Sequence, residues 1–290
     1  MGLFSKRWEN ENKEKALSWI ACHRGTDMID AITTAKDRDI KVAAMNRLID
    51  QINSKDQIEL IKSYMNLIFE KCDYTTTKYI IQGIIYQDFL KDLASKCSEE
   101  AIKCIKDQDV IYDILTNRNF FISTDLFSEW ERQKCKNRGQ MVSEYCVELA
   151  FENFNCIEKY LDVLKNTPYR NIAFPIAFKV RNKELADIKE IVLNDKYSEI
   201  ARSGALCAIQ EEKDLCDIID KLNDGTLKYD AIVKIKTPEV RAKYCDKFDT
   251  HEWELIDTIH NEVGDHDYMQ KVFKCKYCGK KKTEDETYVY

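Results

Sequence analysis

The sequence predicts a mainly α-helical chain of short helical hairpins, followed by a small β-hairpin at the carboxyl end. Three observations support this fold class. The 290 residues include only 8 Gly and 3 Pro, and this scarcity of turn-forming residues favours helices. Apolar residues recur at helical spacing over residues 15–248. Residues 249–290 are instead rich in aromatic and β-branched residues, as strands are.

The length, the net charge and the first residues of the chain limit its domain count, its binding partners and its location. A chain of 290 residues can bury a large core or form two domains. Its formal charge of −6 gives no global basic field that would attract nucleic acid or anionic lipid. Residues 1–14 lack the apolar run of a signal peptide, and we interpret them as an N-terminal arm. No apolar run approaches the ~20 residues that span a bilayer, and we expect a cytoplasmic protein with reduced cysteines.

Residues 15–248 contain a recurring pattern of apolar residues. Each unit has an anchor residue at the end of one helix, a second apolar residue four positions earlier, and a third five or six positions later that opens the next helix. Because residues at i and i+4 share a helix face, each unit is a helical hairpin that buries its apolar side only by stacking on its neighbours. The anchors are Ile52, Ile84, Ile105, Val180, Ile209 and Ile235.

The turns between these helices are short and polar. After Ile235, Thr237-Pro238 is a helix start, with Thr as the N-cap and Pro at the first helical position. Leu149 fits the anchor pattern less cleanly. Residues 116–142 are the least regular stretch, and the pattern leaves open whether they form an atypical unit or a long loop.

Two segments resemble a known family. Residues 39–48 (Asp-Ile-Lys-Val-Ala-Ala-Met-Asn-Arg-Leu) and 199–209 (Glu-Ile-Ala-Arg-Ser-Gly-Ala-Leu-Cys-Ala-Ile) are similar to degenerate HEAT-type repeats of bacterial proteins. Such repeats often read Asp-x-x-Val-Arg-x-Ala-Ala-x-x-x-Ile before a short polar turn. The resemblance implies a HEAT-like α-solenoid over residues 15–248. It implies no catalytic residue, because the matched positions are packing positions.

The tail carries the strongest chemical signal of the chain. Cys275-Lys-Tyr-Cys278-Gly279 has the spacing of a zinc knuckle, in which Gly279 permits the tight turn that directs backbone amides at the thiolates. A module the size of residues 249–290 is too small to be stable by burial alone, and a structural metal is the usual remedy. The sequence therefore predicts a zinc-stabilised tail.

The strands of this tail follow from its β-like runs. Residues 253–259 and 268–275 are rich in aromatic and β-branched residues, and residues 261–265 have the composition of a turn. Together they predict a β-hairpin. Residues 287–290 are a candidate third strand.

A tetrahedral zinc site needs two more ligands. The pattern His251-x-Trp followed by Cys-x-x-Cys-Gly resembles small bacterial zinc-ribbon-like tails. This resemblance implies His251 as the third ligand of Cys275 and Cys278, and a preceding cysteine, here Cys245, as the fourth. Cys245 also falls on a helical pattern. His260 and His266 therefore stay open as alternatives for the fourth position.

Lysines near the knuckle raise the question of nucleic-acid binding. Residues 271–282 carry six lysines and no acid, whereas residues 251–270 carry six acids and no Lys or Arg. The two charges cancel, so pairing across the hairpin is favoured over phosphate binding. The basic residues of 132–138 are interpreted in the same way, as part of a solvated loop.

These patterns favour a non-catalytic scaffold that binds a protein partner through its helices and holds a structural Zn²⁺ in its tail. One alternative is a nucleic-acid-binding or repair-associated HEAT-like protein. Another is a zinc-dependent hydrolase with Glu252 as its base. Sites built on Cys-x-x-Cys knuckles are mostly closed and structural, which argues against the hydrolase. The sequence does not predict the oligomeric state.

Overall fold

The structure is a computed structural model that describes residues 12–54, 65, 67–96, 98–121, 133, 141–182, 184–263 and 266–289. The described part is mainly helical and ends in a three-stranded antiparallel sheet. The chain divides into two compact units. The first comprises Met1–Lys159 and Thr167–Ile172, and the second comprises Tyr160–Asn166 and Ala173–Tyr290.

The first unit is built from short helices that contact close neighbours along the chain. The helix α3 contacts α1, α2 and α4, and α6 contacts α4, α5 and α8. Residues 67–71 are also helical, and Ile157–Lys159 form a single 3₁₀ turn. The helices are α1 (Lys13–Cys22), α2 (Thr26–Thr34), α3 (Arg38–Ile52), α4 (Tyr74–Gln82), α5 (Gln87–Ser95), α6 (Glu99–Cys104), α7 (Gln108–Thr116) and α8 (Val142–Glu152).

The second unit continues the same local pattern of contacts. The helix α12 contacts α9, α11 and α14, and α14 also contacts α13 and α15. The helix α10 enters this unit at Ala173. The helices are α9 (Tyr160–Asn166), α10 (Arg170–Val180), α11 (Leu185–Leu193), α12 (Glu199–Ala208), α13 (Glu212–Lys221), α14 (Gly225–Val233) and α15 (Pro238–Phe248).

Helix starts follow the expected capping chemistry. Most of the capped helices begin after a Ser or Asp whose side chain accepts a backbone N–H of the first turn. At α15, Thr237 and Pro238 occupy the N-cap and first helical positions, as predicted. The Thr237 side chain makes no capping hydrogen bond there. The side-chain caps are Asn12, Asp37, Asp73, Ser98, Asp107, Ser198 and Asp224.

All six predicted anchors are buried, each at most 4 % exposed. Each lies at the end of a helix or within two residues of it, where it closes one helix against the next. Among the partner positions that the structure describes, which exclude Ile58 and Ile61, one was predicted wrongly. Leu185, expected to open the helix after Val180 as a packed residue, is 37 % exposed. It is the first residue of α11, and Ile188, one turn later, is the fully buried contact of that helix.

Side chains just after the anchors clasp the following turn. An amide or carboxylate oxygen one or three positions after an anchor accepts a hydrogen bond from a backbone N–H. That N–H belongs to the residue directly after the buried apolar residue of the following turn. These turn clasps satisfy backbone donors in the turns, two residues before the next helix begins, that would otherwise need water. The acceptor–donor pairs are Asn53–Ile85 (2.9 Å), Gln87–Lys106 (2.8 Å), Gln108–Asn155 (2.9 Å) and Glu212–Lys236 (2.7 Å).

The tail forms a sheet with the strand order β1-β2-β3. Its strands are β1 (Trp253–Val263), β2 (His266–Cys275) and β3 (Lys281–Val289), and neighbouring strands are antiparallel. The predicted hairpin of β1 and β2 is present. The third strand begins at Lys281 rather than near residue 287, because the chain reverses directly after the knuckle and pairs with β2 from there.

The charge pairing predicted across the hairpin is only partly realised. Lys274 of β2 lies opposite Glu254 of β1, as expected. Lys271 lies opposite Thr258 in β1 and finds its acidic neighbour, Glu284, in β3. The shift arises because a β-bulge between Leu255 and Asp257 moves the register of β1 by one residue.

Some sequence predictions fall mainly outside the described residues. These are the N-terminal arm at 1–14, of which residues 12–14 are described, and the irregular stretch 116–142, which is described mainly at its two ends. Among the helices that the structure does describe, none combines the length and the apolar composition that a bilayer span requires.

Candidate metal centre

Four side chains of the second unit converge at the junction of helix and sheet. Cys245 comes from α15, His251 from the connection to β1, Cys275 from the end of β2, and Cys278 from the turn that follows. One donor atom of each lies within 4.8 Å of every other. Sulfur ligands on a tetrahedral zinc ion lie about 3.8 Å apart, so the cluster has the size of such a site.

The end of α15 brings His251 to Cys245. Asp249 has φ 52° and ψ 41°, a left-handed conformation that Asp tolerates better than most residues. The backbone N–H groups of Asp249 and Thr250 both donate to the Cys245 carbonyl oxygen, the second at 3.2 Å. The chain therefore stops its helix one turn after Cys245 and folds back over it.

The knuckle has the tight turn that its sequence predicts. The N–H of Gly279 donates to the Cys275 carbonyl oxygen at 3.0 Å, and the N–H of Cys275 donates to Lys280 at 2.7 Å. Gly279 has φ +75°, whereas a Cβ at this position would meet only the Lys274 side chain, at 3.6 Å. Glycine is therefore required for its backbone conformation and not for space.

The donors are largely removed from water. Cys245 is 0 % exposed, Cys275 is 1 % exposed, and the His251 side chain is 1 % exposed. Cys278 is half-buried. Within the described residues no cysteine forms a disulfide, so the three sulfur atoms are available as thiols or thiolates.

The pKa values of the two buried thiols are shifted in opposite directions. Burial raises the pKa of Cys275, but hydrogen bonds from the backbone N–H groups of Cys278 and Tyr277 and from His251 outweigh it and lower the pKa to about 6. Burial, then the negative charge of Cys275, raises the pKa of Cys245 to about 12. A second thiolate beside the first is thus disfavoured unless a cation balances the charge.

His251 has neighbours on both sides of its ring. Its Nδ1 lies 3.3 Å from Cys278 Sγ, and its Nε2 lies 3.8 Å from an Asp249 carboxylate oxygen. The ring also packs 4.7 Å from that of Trp253. The separation of 3.8 Å is too long for a hydrogen bond, and the Asp249 side chain is 95 % exposed, so Asp249 does not fix the ring as a hydrogen-bonded carboxylate would.

Around the cluster, Glu252 is held by three side chains. Its carboxylate lies 3.3 Å from the Arg241 guanidinium and 3.4 Å from Lys276 Nζ. A hydrogen bond with Tyr277, followed by the contact with Lys276, lowers the pKa of Glu252. The Glu252 carboxylate is therefore engaged in contacts with these three side chains, and its lowered pKa makes it a weak base.

The other two histidines lie far from the cluster. His260 is exposed on β1 opposite Met269, which is six residues before Cys275 along β2. His266 begins β2, nine residues before Cys275. At about 3.3 Å per residue these separations are roughly 20 and 30 Å. Of the residues that the sequence left open for the fourth position, Cys245 is the one whose donor atom lies within 4.8 Å of those of His251, Cys275 and Cys278.

Comparison with protein-family models, curated proteins and solved structures finds no match for this chain. The resemblances to HEAT-type repeats and to zinc-ribbon-like tails therefore stay predictions. What the structure contributes is a helical chain with a small carboxyl-terminal sheet and a Cys/His cluster that could bind a metal ion.

Proposed function

We propose that Cys245, His251, Cys275 and Cys278 bind one zinc ion, which holds the small sheet to the end of α15. Convergence of these four donor atoms to within 4.8 Å is the main support. Three thiolates and one imidazole are a common ligand set of structural zinc, and soft sulfur donors disfavour magnesium and calcium. The ion supplies positive charge that lets buried thiolates coexist.

The role proposed for the ion is structural. Four protein donors fill a tetrahedral site and leave no position for the water that a catalytic zinc activates. Glu252, the base of the hydrolase alternative, is already engaged by Arg241 and Lys276. The ion thus acts on folding, by linking three segments that the sheet's own core is too small to hold together.

For the helical part, we infer a stack of consecutive hairpins that presents an extended surface to a protein partner. Contacts between described helices at most three apart along the chain support this arrangement, as do the turn clasps between successive turns. Stacked repeats commonly bind proteins along such surfaces. The formal charge of −6 favours a protein over a nucleic acid as the partner.

Elemental analysis of matched variants tests the zinc site. Protein purified without added metal is expected to carry one zinc per chain. Cys275→Ser and His251→Asn are expected to lose most of it. Cys146→Ser, at a buried thiol of α8, and His260→Asn, at an exposed histidine, are expected to keep it. Wild-type protein without metal, or equal loss in the controls, would show the zinc proposal to be wrong.

The choice between protein and nucleic-acid partners has its own test. Binding to mixed-sequence duplex DNA and to single-stranded RNA is measured at low ionic strength, where phosphate contacts are strongest. No binding is expected. Affinity that falls steeply with added salt would favour the nucleic-acid alternative. A protein captured from the native cells, and bound again by the purified chain, would support the scaffold.

A further inference from the structure

The strand β3 is an edge strand whose charges change sign at Thr283. It pairs with β2 on one side, and within the described residues no strand pairs with its other side. From Lys280 to Glu286 the chain reads Lys-Lys-Lys-Thr-Glu-Asp-Glu. Three lysines thus precede Thr283 and three acids follow it. A sequence of this kind is complementary to itself when two copies run antiparallel.

The backbone of β3 has groups directed at this open edge. The N–H of Cys275 donates to the carbonyl oxygen of Lys280 at 2.7 Å. Residue 280 and every second residue after it therefore direct their backbone groups at β2. Residues 281, 283 and 285 direct theirs at the outer edge. These are the groups that a further antiparallel strand binds.

We propose that β3 pairs with β3 of a second copy of this chain, antiparallel and about a two-fold axis at Thr283. In this register Lys281 lies opposite Asp285 of the other copy, and Lys282 lies opposite Glu284 of the other copy. The two-fold axis repeats each ion pair on its other side. The two sheets join into one continuous sheet, with the two Thr283 residues exchanging backbone hydrogen bonds at its centre.

One contact of β3 within its own chain, between two lysines, favours this pairing, although Lys282 already contacts Glu284 and Asp285 already accepts from Gln270. Lys281 lies opposite Lys274 of β2, and like charges opposite each other destabilise a sheet. Asp285 from a second copy, on the outer side of Lys281, offsets that repulsion. Lys281, Thr283 and Asp285 are exposed, so the pairing requires no buried group to move.

The order of its charges distinguishes β3 from an edge strand whose charges prevent pairing. Charged residues on an edge strand commonly prevent pairing with other chains. The strand β1 fits that role, since its charged residues Glu254, Asp257 and Glu262 are all acidic and a second copy would place acids near acids. Pairing of β1 with β3 of another copy would be head-to-tail and would form rings or open chains of several copies, not a two-fold dimer. Only β3 with itself is both complementary in charge and closed as a dimer.

Sedimentation velocity on the zinc-loaded full chain tests this pairing. Over a concentration series at low salt, the 34.1 kDa chain is expected to form a reversible dimer of twice that mass. Pairing one strand edge buries a small interface, so the dimer is expected at high concentration. Added salt is expected to weaken it, because its ion pairs are exposed.

Two charge reversals make the test specific. Lys281→Glu places an acid opposite Asp285 of the other copy, yet opposite Lys274 of its own chain, so the dimer is lost while the sheet is retained. Asp285→Lys places a lysine opposite Lys281 of the other copy and also loses the dimer. In an equimolar mixture, the introduced glutamate faces the introduced lysine, and the native Asp285 and Lys281 face each other. The mixture is therefore expected to form a heterodimer.

Lys213→Glu is the matched control, because it makes the same charge change at an exposed position on α13. It is expected to dimerise as the wild type does. The proposal is overturned if the wild type stays monomeric, if it forms polymers, if either reversal alone still dimerises, or if the mixture stays monomeric. Zinc content measured on each variant reports separately on the metal site, so failure of one proposal is not mistaken for failure of the other.

Discussion

The guanidinium of Arg241 stacks 3.9 Å from the ring centroid of Tyr277 and donates a 2.7 Å hydrogen bond to its hydroxyl. Arg241 lies one turn before Cys245 on α15, whereas Tyr277 lies between the two cysteines of the knuckle. Arg241 is 6 % exposed, so this contact is shielded from solvent. Helix and knuckle are thus joined by a contact between protein groups, in addition to the converging donors.

Removing this contact is expected to loosen the tail. Arg241→Ala leaves the Tyr277 hydroxyl without its donor and should cost about 1–3 kcal/mol in the free energy of unfolding of the tail. Tyr277→Phe removes only the hydroxyl and should cost about 1 kcal/mol. Limited proteolysis of residues 249–290 in the zinc-loaded protein measures the effect. A resistance to cleavage equal to that of the wild type in Arg241→Ala would contradict this role.

Removal of the metal is expected to affect the tail selectively. The proposed zinc ion balances the buried thiolates, so after chelation the β1–β3 sheet should open while the helices of the first unit keep their core. Hydrogen exchange measures this directly: backbone amides of the sheet lose protection, and those of α1–α8 keep it. Unchanged protection in the sheet after complete chelation would show that the ion does not hold it.

The turn clasp of Glu212 predicts a defined pH dependence. Hydrogen bonds from the side chain and backbone of Thr237, and then from the backbone of Lys236, lower the pKa of Glu212 below its ordinary 4.5. A lowered pKa in the folded state means that the stabilisation is complete above pH 4.5 and is lost as pH falls through the folded-state value. Glu212→Gln keeps an acceptor oxygen and cannot titrate.

Urea unfolding of metal-free protein, followed by helical circular dichroism, tests the clasp. At neutral pH, Glu212→Ala should be less stable than the wild type, and Glu212→Gln should lie between them. Below pH 4.5 the difference between wild type and Glu212→Gln should shrink, because only the wild type loses a charge-assisted acceptor. A difference that is constant across this range would mean that the carboxylate is not engaged as the structure has it.

Gly279 of the knuckle and Gly225 of α14 differ in backbone conformation, and replacing each by Ala gives a matched pair of predictions. Gly279→Ala forces a side chain into the left-handed region and should cost about 1 kcal/mol or more, with weaker retention of zinc. Gly225→Ala, at the first position of α14, meets nothing within 4 Å and should be neutral or stabilising. Zinc retention during competition with a chelator is the measurement. Equal retention in the two variants would contradict the conformational requirement at Gly279.

The helical part was predictable because its signal is local. Residues four apart share a helix face, so Ile105 and Ala101, or Ile209 and Ala205, could be paired from the sequence, and all four are buried. The prediction for Leu185 was wrong because Leu185 is the first residue of its helix, and the buried contact falls one turn later, on Ile188. The turn clasps were missed, although the recurrence of Gln, Asn or Glu shortly after the anchors was a usable signal.

The Cys/His cluster was predictable only in part. The two cysteines of the knuckle were evident from their spacing, because both lie in one turn. Cys245 was ambiguous, since its position on a helix is equally consistent with a core residue. It is both: fully buried on α15 and within 4.8 Å of the other three donor atoms. His260 and His266 could be set aside only when the strand register showed their distance from Cys275.

By itself the sequence determined the helical class, the buried anchors and the knuckle, because each depends on residues within one or two turns of one another. Only the tertiary structure decided which distant residue meets the knuckle, where the third strand begins, and that no described strand pairs with the outer edge of β3. Those features depend on the register of β2 and on the reversal at Asp249, which bring residues separated by thirty positions into contact. A pattern of neighbouring residues does not specify which residues far apart in the sequence come together in the folded chain.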